Sequence, residues 1–167
     1  MLIPMLAMLG LVYLMLKSFQ SKENKALLLE LQKTTKQQTL PLRLQAYERL
    51  VLLTERLEPA ALFTRLSADA QSAGALEWQM LLAIKQEFEH NLSQQIYVSP
   101  AVWAQLVKAK QQLLDIVHQA AKKIPKDASP QDFGKALFSH LEQQPPRELL
   151  IAKSALREEA GLLVGIR

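Results

Sequence analysis

"LPLRLQAYERLVLLTERLEP", residues 40–59, places apolar side chains at Leu42, Leu44, Ala46, Tyr47, Leu50, Val51, Leu53 and Leu57. Arranged round a helix at about 100° per residue, they form one continuous arc, the mark of an amphipathic helix with a face to bury. Two residues break the pattern. Arg43 sits near the middle of the apolar arc, where a charge must be paired or must reach water along its stem. Leu52 sits on the polar side among Glu48, Arg49, Glu55 and Arg56. Single exposed leucines are normal, so Leu52 is a partner-contact candidate only if the stalk or the last helix covers it.

The rest of the chain follows the same helical pattern. At 167 residues and 49% apolar it can build a real core as one compact domain. Five glycines and 6% aromatics, beside abundant Leu, Ala, Gln, Glu and Lys, favour helix over sheet. The expected class is all-α. Cysteine is absent, which excludes disulfides, thiolate metal sites and cysteine nucleophiles. The net charge of +4 is concentrated in residues 17–56, which hold eight of the 20 basic and four of the 16 acidic residues. Lys17, Lys22, Lys25, Lys33 and Lys36 lack interleaved aromatics, so the basic stretch does not point to nucleic acid.

Met1 to Leu16 contains no charged side chain, and Lys17 ends the run. At about 1.5 Å per residue it reaches roughly 24 Å, close to spanning once Ser18 and Phe19 are added and Lys17 snorkels. No basic residues precede the apolar run and no small-residue cleavage site follows it, so an uncleaved anchor is expected rather than a signal peptide. Lys17, Lys22 and Lys25 resist translocation, which places the following domain in the cytoplasm, on the inner membrane. The expected organisation is a transmembrane anchor at 1–19, a basic helical stalk at 20–38 and a cytoplasmic helical domain at 39–167. Membrane lipid is one expected partner. The stalk strip of Leu27, Leu28 and Leu31 permits a homodimer without requiring one.

Proline punctuates the domain. Pro41, Pro59, Pro100, Pro130 and Pro145-Pro146 each precede a helix-like pattern, and proline in the first turn is a start signal. Helices are expected near 41–57, 59–66, 75–96, 100–124, 130–143 and 146–160. The short connections predict a small antiparallel bundle.

Glu87 and His90 have the i, i+3 spacing of di-iron bundles, and Asp115 and His118 repeat it. The wheel taken through Trp78, Leu81, Ile84, Phe88, Leu92 and Ile96 turns His90 outward and leaves Glu87 at the boundary, about 60° away. On the next helix Trp103, Leu106, Leu114, Val117 and Ala121 mark the core side, with His118 at its rim and Asp115 beyond it. Neither pair aims inward as a metal site requires, and no metal or cofactor is expected. Lys110 falls at the centre of that second face. With Arg43 also inward, the expected arrangement is a polar cluster of Arg43, Lys110, Glu87, Asn91 and Gln95, either fixing helix register or holding an anionic ligand.

No phosphate loop, nucleophile elbow or H-E-x-x-H occurs, and Ser139-His140 diverge by about 100° on a helix. The chain is not expected to be an enzyme. The motifs LPLRLQAYERLVLLTERLEP and EFEHNLSQQIYVS, after the apolar anchor, resemble an uncharacterised family of small bacterial proteins with one membrane helix and a helical domain. That resemblance implies the anchor-plus-domain layout and carries no site or activity. The expected function is a membrane-tethered scaffold or accessory subunit acting on an unidentified protein partner. A ligand-binding or sensor domain built on the polar cluster is the alternative, with a di-metal helical enzyme the third and least favoured reading.

Overall fold

The computed structural model describes Met15, Lys17, Glu30, Lys33, Thr34 and residues 37–165. The chain divides into two compact units, Met1–Pro41 and Leu42–Arg167. In the first, every described residue is helical. The expected anchor and stalk lie almost entirely outside the described residues, and no helix among those described is long and apolar enough to cross a membrane.

The second unit is all-helical among its described residues. Residues 37–56 are helical, so Pro41 lies within the run and does not open it as expected, a proline in a helix interior costing the hydrogen bond its missing N–H would make; the part in this unit, 42–56, is α1. It is followed by α2 Pro59–Leu66, α3 Ala73–His90, a 3-10 turn Leu92–Ile96, α4 Pro100–Ala121, α5 Pro130–Gln143 and α6 Arg147–Val164. Pro59, Pro100 and Pro130 open their helices as the punctuation predicts, because a first-turn residue has no intrahelical use for an N–H. Serine side chains cap three starts: Ser72 accepts from the Ala75 amide, Ser99 from Val102 and Ser129 from Asp132.

Side-chain pairings set the helix directions. Ser99 at the start of α4 meets Glu159 near the end of α6, while the Glu148 amide at the start of α6 donates to Gln112 within α4, so these two run antiparallel. Helix α3 is antiparallel to α4, since Phe88 near its end stacks on Trp103 and Glu77 near its start meets His118. Helix α1 is antiparallel to α6, with Tyr47 on Glu159 and Glu55 on Lys153. Four long helices thus alternate in direction, with α2 and α5 packed alongside. Leu50 and Leu53 of α1, Met80 and Ile84 of α3, Leu113 of α4 and Leu156 of α6 are fully buried between them. Each such side chain stabilises the fold by roughly 1.5–3 kcal/mol over its exposed state.

The inner face of α3 differs from the expected one. Its buried set is Ala73, Leu76, Met80, Ile84 and Phe88. At about 100° per residue, Trp78 lies roughly 140° from the centre of that set, and it is 66% exposed. The expected face had been centred by including the bulkiest side chain. The helix also stops at His90 rather than at 96. Asn91 caps it by donating from Nδ2 to the Glu87 carbonyl at 2.8 Å, and the 3-10 turn then changes the phase. Leu92 and Ile96, expected inside, therefore face out, and Gln94 and Val98 are buried instead.

Candidate functional site

The expected five-residue cluster separates into distinct places. Arg43 donates from Nε to the Tyr97 carbonyl at 3.1 Å and pairs through Nη2 with Glu159 at 3.6 Å. Glu87 pairs with Arg56 at 2.6 Å and lies 3.9 Å from Arg65. Lys110 runs its half-buried stem along the core and holds its ammonium 4.4 Å from the centre of the Phe88 ring, a cation–π contact that replaces the expected carboxylate. Asn91 is spent on the α3 cap and Gln95 is exposed. The cluster does not assemble because the α3 phase was displaced. Glu87 points between α1 and α2, where the arginines of those helices reach it first.

Glu159 is the polar centre instead. Its carboxylate accepts from the Tyr47 hydroxyl, from the Ser99 hydroxyl at 2.5 Å and from the Ser99 amide at 3.0 Å. Burial raises the Glu159 pKa, but the hydrogen bonds from Ser99 and Tyr47 outweigh it and leave the carboxyl below its ordinary range. Burial first and the adjacent carboxylate second push Tyr47 up to about 12. One acid thereby ties α1, the start of α4 and α6 together. Every member is satisfied, so this centre is structural. The reading from sequence missed it, although Ser99 was legible as a helix start, because nothing local pairs position 159 with 43, 47 and 99.

The open face lies along α1. A groove of about 630 Å³ is bounded by Leu42, Gln45, Glu48, Arg49 and Leu52 of α1 and by Ser93, Gln94, Ile96 and Tyr97 across from them. Leu42 is 49%, Leu52 55% and Ile96 74% exposed, so three large apolar side chains stand in solvent around one depression. Leu52, singled out from the helical wheel, lines the groove but is exposed rather than covered, whereas Leu42 was expected inside and Ile96 was expected on the inner face of α3. A narrower stretch lined by Arg49, Leu52, Arg56, Glu87, His90 and Asn91 continues the groove. It leads to a second cavity of about 470 Å³ lined by Arg56, Arg65, Gln86, Glu87 and His90.

Three members of the two i, i+3 pairs are engaged elsewhere. Glu87 is held by arginines, Gln111 donates to Asp115 at 3.3 Å, and His118 Nδ1 lies 3.0 Å from Glu77. Among the described residues no group of three or more His, Asp or Glu side chains is arranged to hold a metal ion.

No curated protein and no solved structure matches the chain. Residues 1–163 match the family of unknown function DUF7935, and the chain belongs to that family.

Proposed function

We propose that this chain is a membrane-tethered scaffold or accessory subunit that binds a protein partner along the α1 groove and carries no catalysis of its own. The carrying observation is the trio of exposed apolar side chains, Leu42, Leu52 and Ile96, around one open depression. From Leu42 to Arg56 the groove follows α1 for fourteen positions, roughly 21 Å at about 1.5 Å each, a length suited to an amphipathic helix. Its walls change from apolar near Leu42 and Ile96 to charged, where Arg49 and Arg56 stand with Glu48 and Glu87. The occupant that complements them is a partner's helix with an apolar stripe leading into charged residues of both signs. The charge-free Met1–Leu16 run followed by Lys17, Lys22 and Lys25 supports an inner-membrane tether with the bundle on the cytoplasmic side, in keeping with the resemblance to small bacterial membrane-anchored proteins.

The test places a photocrosslinking amino acid at position 52 of the full chain in its own membrane. The expected product is an adduct with a different protein, mapped to an amphipathic helix and abolished by Ile96→Glu. An adduct with a second copy of this chain alone, no adduct, or one indifferent to Ile96→Glu overturns the docking reading. Release of the chain from membranes by alkaline carbonate overturns the tether.

A further inference from the structure

We propose that Arg56 and Arg65 form a binding site for a dianionic oxyanion group, a phosphate or a dicarboxylate on a small molecule, with Glu87 as its built-in placeholder. The two guanidinium groups come from different helices, α1 and α2, and converge on a single atom, Glu87 Oε1, at 2.6 and 3.9 Å. Each guanidinium carries five N–H donors, far more than one carboxylate oxygen can accept. Among the described residues no second carboxylate pairs with either arginine. Two positive charges therefore share one negative charge at the edge of an open cavity of about 470 Å³. Gln86 and His90 on the same wall add polar groups that can meet further oxygens.

A lone structural ion pair would not need a second arginine or the adjoining space. A doubly charged group with several oxygens fits both, because it can accept from the two forks at once where Glu87 offers them one atom. Glu87 is the least exposed member, at 17% of its side chain, and it holds the two guanidiniums close to each other. This gives the site an unusual sign. The carboxylate that organises the arginines also competes with and repels an incoming anion, so its neutral isostere binds anions more tightly. The site goes beyond protein docking, using α2 and the far end of the groove rather than Leu42, Leu52 and Ile96.

The experiment titrates the purified full chain with inorganic phosphate and, separately, with succinate, following binding by calorimetry. Saturable one-site binding of either probe is expected. It should weaken about tenfold in Arg56→Gln and in Arg65→Gln, strengthen several-fold in Glu87→Gln, and stay unchanged in Arg157→Gln, which lies outside the cavity. Saturation by phosphate alone identifies the ligand as a phosphate, and by succinate alone as a carboxylate. Saturation by neither overturns the site. So does equal weakening in Arg157→Gln, or unchanged or weaker binding in Glu87→Gln. Circular dichroism of each variant establishes that a lost signal is not lost folding.

Discussion

Glu159 concentrates more of the fold's polar specificity than any residue singled out from sequence. Its carboxylate takes three hydrogen bonds from Tyr47 and Ser99 and one ion pair from Arg43. Glu159→Gln keeps the shape but turns an acceptor-only group into one that also donates, opposite donors that need an acceptor. It should lower stability by about 1.5–3 kcal/mol, the range for hydrogen bonds to charged groups, measured by urea unfolding. A buried histidine makes a second prediction. His140 is almost fully buried, with Lys123 Nζ 3.4 Å from its Nδ1, and burial, then the lysine charge, depress its pKa below the ordinary 6.5. The unfolded chain then takes up a proton at a higher pH than the fold does. Stability from this residue is fully present above pH 6.5 and lost as pH falls below it. His140→Gln should flatten stability against pH in that window, ahead of the loss at lower pH as Glu159 protonates. Arg43 was legible from its wheel position, since a charge on an apolar face demands a partner. Glu159 was not, because it is one of several acids on α6 and only packing selects it.

Local chemistry places the helix starts well. Proline at the first position together with a preceding serine marks α4 and α5, and proline alone marks α2. Helix ends are less legible, because Asn91 as a cap depends on its side chain turning back to the Glu87 carbonyl rather than on residue type alone. That one misplaced end exchanged the inside and outside of Leu92, Gln94 and Ile96. Contact between α2 and α5 was also invisible in sequence. A β-carbon on Gly134 of α5 would come 2.5 Å from the Phe63 ring of α2, which itself meets Phe138 edge-on at 5.5 Å. Gly134→Ala adds about 1 kcal/mol of helix propensity, but the ring must move and overpacking costs about 1–3 kcal/mol. The expected net result is a lower melting temperature. Phe63→Leu should lose stability singly, yet its combination with Gly134→Ala should be less destabilising than the sum, a coupling that a double-mutant cycle measures.

The bundle and the groove face different demands. Core positions such as Leu113 must stay buried, and Leu113→Ala should cost about 2–5 kcal/mol by denaturant unfolding. Leu52 and Ile96 meet mostly solvent, so Leu52→Glu and Ile96→Glu should each change stability by no more than about 0.5 kcal/mol in the same assay, while Ile96→Glu abolishes the crosslink from position 52. A large loss of stability in either variant would place that side chain in the core and remove the groove as a docking surface. The all-helical class, the proline-marked starts of α2, α4 and α5 and the need for compensation at Arg43 were determined by the sequence alone, because periodicity, proline and charge act within a few residues. The partners of Arg43 and Glu87, the exposure of Trp78 and Ile96, and the meeting of Arg56 with Arg65 were decided only by tertiary structure. Those outcomes depend on the rotation of α3 about its axis, which is set by summed packing against α1 and α4 rather than by any residue within it.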